Sequence, residues 1–139
     1  MSKRLKRRIG MRRKITTGLV TNSMITCADN TGARKLKLIQ VMGYKGVRRR
    51  LPNAGVGDLI VVSCREGTPD MRRQILNAVI IRQRKPYPRR DGTWVHFDDN
   101  AAVILTPDGE FRGSDVKGPV AREAVERWPR LGQMARIVV

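Results

Sequence analysis

Residues 34–44 read RKLKLIQVMGY, and this stretch decides the fold class. Leu36 and Leu38 alternate with Lys35 and Lys37, after which the run is apolar on both faces. A period of two belongs to a β-strand, here half exposed at its start and buried at its end. Outward from it the same short period recurs. GDLIVVSCR (57–65) and ILNAVIIRQR (75–84) are β-branched and apolar, and shorter runs follow at 93–97, 101–106 and 135–139. Clusters of Gly, Pro, Asn and Asp at 29–32, 52–55, 67–70, 91–92 and 107–109 mark the turns between them. Several short strands at this spacing predict a mainly β chain closed into a small barrel, which leaves no edge free to aggregate.

One stretch is helical in pattern. In PVAREAVERW (119–128), Pro119 suits a first helical position and Pro129 stops the run. Val120, Ala124 and Trp128 share one face, and Glu123 is spaced to pair with Arg127 one turn on, worth a few tenths of a kcal/mol. Such a helix either packs on the barrel or offers a platform to a partner. The apolar stripe slightly favours packing.

Charge sets the function class. Lys and Arg number 29 against 12 Asp and Glu in 139 residues, a net charge of +17. Like charge of this size destabilises a compact state, and a polyanion, most commonly nucleic acid, relieves it. Lys3, Arg4, Lys6, Arg7, Arg8, Arg12, Arg13 and Lys14 crowd the first fourteen residues without one acid among them. So dense a run cannot pack on itself and is expected to stay disordered until it meets RNA. The expected organisation is therefore a basic arm over 1–21 and one barrel domain over 22–139.

The body carries further clusters. Lys45, Arg48, Arg49 and Arg50 follow a strand and precede a turn, as at the tip of a hairpin. Arg72 and Arg73 fall in the next loop, and Arg82, Arg84, Lys85, Arg89 and Arg90 flank the stiffening Pro86 and Pro88. Arginine prevails, and its planar fork suits bidentate bonds to phosphate. Aromatics make up only 4% of the chain, and Trp94 and Phe97 point to opposite faces of their strand, so one of them belongs to the core. Recognition by shape and phosphate contact fits this better than base-by-base stacking.

Other classes fit poorly. No run approaches the roughly 18 apolar residues of a membrane span, and residues 15–24 are too polar for a secretory signal. A mitochondrial transit peptide shares the arginines of the arm but carries more serine and an amphipathic stripe. Cys27 and Cys64 lie in apolar runs, where Cys packs as a small hydrophobe, and with the single His96 they fall short of a structural zinc set. Asp98 and Asp99 beside His96 tempt an RNA-acting enzyme as an alternative, yet adjacent strand residues face opposite sides, and neighbouring arginines account for both carboxylates. A free-standing nucleic-acid chaperone is the other alternative.

The segment 78–104, AVIIRQRKPYPRRDGTWVHFDDNAAVI, resembles the signature of the universal large-subunit ribosomal protein fourteen (L14) family. Ala78 precedes three aliphatics, a basic stretch of fixed length follows, and Asp91-Gly92, Phe97, Asn100 and Val103-Ile104 fall at the family's spacing. ADNTGAR (28–34), AGVGD (54–58) and GPVARE (118–123) extend the likeness over roughly 22–139. The basic arm, Arg48–Arg50 and the ending from Trp128 resemble the archaeal and eukaryotic branch. The resemblance implies a five-stranded barrel with a projecting hairpin and a short helical C-terminal region, without catalysis or a cofactor. It implies a cytoplasmic ribosomal protein that binds large-subunit rRNA and neighbouring ribosomal proteins. It also implies contact with small-subunit rRNA across an inter-subunit bridge, and with the anti-association initiation factor six at the C-terminal region. On that basis Arg122, Glu123, Glu126, Arg127 and Trp128, with the final strand, become a protein-partner platform, which reverses the preference for simple packing.

Overall fold

The computed structural model describes residues 14–139. Lys3, Arg4, Lys6, Arg7, Arg8, Arg12 and Arg13, and the expected behaviour of the arm, lie outside the described residues. In chain order the elements are β1 (Leu19–Val20), β2 (Met24–Cys27), β3 (Ala33–Val41), β4 (Asn53–Ala54), β5 (Leu59–Gly67), β6 (Ile75–Arg82), β7 (Tyr87–Pro88) and β8 (Trp94–Val95). β9 (Ala101–Leu105), β10 (Val116–Val120), α1 (Arg122–Arg127), α2 (Leu131–Met134) and β11 (Ala135–Val138) complete the chain.

The alternation in β3 puts Leu36 and Leu38 inside, both fully buried, and Lys35 outside. The expected closed barrel forms, in the order β2-β3-β5-β6-β9. β2 closes it by pairing antiparallel with β3 and parallel with β9, where Thr26 faces Ala101. Sequence pattern missed β2, because four residues give the alternation too little length to register. β6 and β9 are buried on both faces from Ala78 to Ile81 and from Ala101 to Leu105. One face fills the barrel; the other needs a cover, and the C-terminal segment supplies it. Val116, Val120, Ala121, Ala124, Trp128 and Leu131 are all buried, and the Ala121 amide donates to the Ile81 carbonyl at 3.1 Å.

Three expectations shift. The helix starts at Arg122, and Pro119 instead lies in β10, which pairs in parallel with β11. Residues 45–50 are not a tight hairpin tip. They belong to the long connection between the antiparallel β3 and β5, which also contains β4 paired with β1. The projecting hairpin is the β7–β8 ribbon, turning through Gly92 at positive φ. Leu19 is 1% exposed, so the folded body begins before residue 22.

Trp94 is exposed and Phe97 buried, although β8 ends at Val95 and Phe97 lies beyond the strand. Both cysteines are free and buried as core residues, and burial pushes both thiols up. Leu38→Ala removes a fully buried side chain at the centre of β3, and should cost about 2–5 kcal/mol by urea unfolding. A loss below about 1 kcal/mol would show that the barrel interior collapses freely around the deletion.

Candidate nucleic-acid interface

Strand register decides which loops meet. Val41 faces Ile60, Leu59 faces Val79, and Arg82 faces Ala101, so the 42–58 and 83–100 connections leave the barrel at one end. The N-terminal stretch joins them there. The Gly18 amide donates to Ala54 (3.1 Å), and the buried Gln83 side chain donates through Nε2 to the carbonyls of Thr16 (2.8 Å) and Lys85 (3.0 Å). Lys14, Lys45, Arg48, Arg49, Arg50, Arg84, Lys85 and Arg90 are exposed around this end. Arg72 and Arg73, also exposed, leave from the opposite end, where Ala33 faces Gly67 and Ser63 faces Ile75. The structure therefore gathers three of the predicted basic groups and separates the fourth.

Two predicted phosphate-binding arginines are committed elsewhere. Arg82 is 7% exposed; its Nε and Nη2 grip the two carboxylate oxygens of Asp99 at 2.9 and 3.1 Å. Its Nη1 donates to the carbonyls of Lys117 (2.9 Å) and Pro119 (2.8 Å). With its fork filled, Arg82 is a frame residue. The approach requires Gly118, whose φ is +79° and where a Cβ would lie 2.8 Å from Nη1 of Arg82. Arg89, half-buried, donates to both carboxylate oxygens of Glu123 (2.7 and 3.3 Å) and to the Val139 backbone oxygen (2.7 Å).

Of the platform expected on the helix, three residues are likewise engaged internally. Glu123 is 9% exposed and also accepts the Tyr87 hydroxyl at 2.8 Å. Arg127 reaches Asp58 at 2.6 Å rather than Glu123, and Asp58 also accepts the Gly55 amide. Trp128 is 3% exposed, and its indole N–H donates to the Gly57 carbonyl at 2.9 Å. Sequence spacing suggested a Glu123–Arg127 pair along the helix, but each side chain instead reaches a different loop at the barrel end. Arg122 and Glu126 keep the outward positions.

Burial alone would raise the Glu123 carboxyl, but the bonds from Arg89 and Tyr87 and the Arg89 charge hold it below the usual carboxylate range. The same burial, with Glu123 as neighbour, pushes the Tyr87 phenol up. A cleft of ≈ 530 Å³ opens beside this group, between the β7–β8 ribbon and α1. At the suspected catalytic cluster, Asp99 is held by Arg82, while Asp98 and His96 are exposed. No group of three metal-binding side chains occurs among the described residues.

The family model of ribosomal protein L14p/L23e matches residues 18–139. The chain belongs to that family. Its members are structural components rather than enzymes. It is 57% identical to large ribosomal subunit protein uL14 of Thermoplasma acidophilum over 94% of this chain and 98% of the relative. The uL14 of Thermoplasma volcanium is 59% identical over 88% and 92%, and that of Methanococcus vannielii 54% over 93% and 98%. These relatives agree with the archaeal cast of the sequence.

Because the Glu123 pKa is lowered by folding, its contribution to stability is present above the unfolded pKa and is lost as pH falls through the folded one. Parent protein should therefore melt above Glu123→Gln at neutral pH, with the gap closing in acid below the ordinary glutamate range. A gap independent of pH would mean that the carboxylate's charge is immaterial there.

Proposed function

We propose that this protein is a structural constituent of the large subunit of the cytoplasmic ribosome, bound to large-subunit rRNA through one basic end of its barrel. The observation that carries this reading is the division of labour among the arginines. Arg82, Arg89 and Arg127 each hold an internal ion pair, whereas Arg48, Arg49, Arg50, Arg84 and Arg90 are exposed and make no ion pair with a described residue. Charges left unpaired and gathered on three adjoining segments suit a phosphate backbone. Lys14, the last cation of the N-terminal basic run, is exposed at the same end.

The partner surface narrows to the outward side of α1, with Arg122 and Glu126, and to β11. Ile137 and Val138 of β11 are 58% and 45% exposed, and within the described residues the strand pairs only with β10. An apolar strand edge of this kind suits neighbouring ribosomal proteins and the anti-association initiation factor six. The inter-subunit interface, with small-subunit rRNA across a bridge, belongs to the same reading and rests on the family resemblance.

Two measurements test it. In a sucrose gradient of cell extract the protein should sediment with large subunits, and its recovery in lighter fractions alone would favour a free-standing chaperone. With isolated rRNA, log affinity should fall steeply with log salt, by about 0.7–0.9 of a slope unit per phosphate contacted. Changing Arg48, Arg49 and Arg50 together to Ala should flatten that slope by about two to three units. An unchanged slope would place the contact elsewhere.

A further inference from the structure

Among the described residues, two non-glycine residues besides an asparagine have positive φ, and both are exposed arginines in basic loops: Arg49 at 68° and Arg73 at 62°. Each stands where glycine is the ordinary occupant. Arg49 is the third residue of a turn closed by the Arg50 amide on the Val47 carbonyl (3.2 Å). That position, when left-handed, favours Gly or Asn. Arg73 ends a helical turn in which the Met71 and Arg72 amides both donate to the Thr68 carbonyl, and its own amide donates to Cys64 at 2.9 Å. A residue that ends a helical turn in the left-handed region is most often glycine. A long side chain at these two positions costs backbone strain that glycine would not. Neither guanidinium makes an ion pair with a described residue that would offset it.

The two positions lie at opposite ends of the barrel. At a rise of ~3.3 Å per residue and a tilt near ~40°, the nine residues of β3 separate those ends by roughly 20 Å. That exceeds the screening length of about 8 Å at physiological ionic strength, so the ends act as independent charge sites. Around Arg73 stand Arg65 and Arg72, and a cleft of ≈ 430 Å³ at the same end is lined by Arg34, Thr68 and Lys117. Of the acids nearby, Glu66 is paired with Lys35 and Asp115 with Arg136. Asp29 also lines the cleft but is buried and accepts from Thr31 and the Ile104 amide, and Asp70 is exposed in the loop itself. Midway along the wall, Val61 and Ser63 of β5 carry no charge, and Lys37, opposite Ser63 on β3, is half-buried and is the cation between the two ends there.

We infer that the barrel is a two-ended spacer that holds two separate RNA segments, with Arg49 anchoring phosphate at one end and Arg73 at the other. The inference rests on the rRNA-binding reading above and adds a second site and its geometry. It also explains why strain is retained: the fixed left-handed turn presents the guanidinium in one direction instead of letting the loop swing.

The test uses the full chain, a fluorescein-labelled short RNA duplex, and a pair of such duplexes carrying donor and acceptor dyes. Arg49→Gly and Arg73→Gly should each melt at or above the parent temperature while binding the duplex severalfold more weakly. Parent protein at limiting concentration should bring donor and acceptor duplexes together. Arg72→Gly combined with Arg73→Gly should abolish energy transfer while retaining binding of one duplex. Glycine variants that melt earlier and bind equally well would make both arginines purely structural and overturn the inference. Energy transfer that persists in the double variant would overturn the second site. A parent that binds one duplex but never two would also sink the inference and leave the rRNA-binding reading intact, whereas a parent that binds no duplex defeats both.

Discussion

The guanidinium of Arg82 ties the β6–β9 wall of the barrel to β10, a strand of a separate sheet. It sits at the end of β6, grips Asp99 just before β9 begins, and takes the two carbonyls that flank Gly118 in β10. The C-terminal cover continues from that attachment through the Lys117–Ala28 and Ala121–Ile81 backbone bonds. β6 and β9 are apolar on both faces, and without β10 and α1 lying over them one of those faces would meet water. A buried arginine is tolerable because each of its bonded N–H groups finds an anion or a carbonyl, and a half-satisfied one would be costly.

The same rule sorts the other charges. Glu123 and Asp58 are buried and each collects an arginine, Arg89 or Arg127, together with a second donor. These pairs clamp α1 onto the hairpin and onto the 55–58 turn, so the helix is held by ionic contacts at its sides and by Trp128 beneath. Cations left outside this frame collect on loops. The net charge of +17 is thus uneven along the chain: eight cations fall in the first fourteen residues, and others gather at 45–50 and 82–90. The shape of the protein and the basic surface proposed for rRNA follow from one partition, between arginines with internal partners and arginines without.

How much of this was legible beforehand depended on the length scale of each signal. The nine-residue alternation of β3 and the apolar runs of β5, β6 and β9 set the barrel correctly. The four residues of β2 did not announce a strand, although β2 is what closes the circle. Within the run RQRKPYPRR, Arg82 and Arg84 are identical as letters, yet one is buried and the other exposed. The difference is one of register: Arg82 still belongs to β6, beyond a register shift after Ile80, and turns toward Asp99 and β10. Pro119 was compatible with a helix start, but parallel pairing with β11, a contact between segments far apart in pattern, claimed it as strand. Glu123 and Arg127 show the same limit, since helical spacing states which side chains are near each other and not which loops pass closer. The basic surface was legible as composition, and its assembly at one barrel end emerged only from strand order.

Barrel closure also bears on how the chain reaches this state during synthesis. β2 acquires its second neighbour only through β9, with Thr26 set against Ala101 across most of the sequence. On a ribosome the chain emerges N-terminus first, so the early strands remain an open, curling sheet until residue 101 and its successors have left the exit tunnel. The apolar edge of β2 has to wait for them. Because such distant pairing is reached slowly, the barrel shuts only after the β9 segment has been made, late in a highly cationic chain.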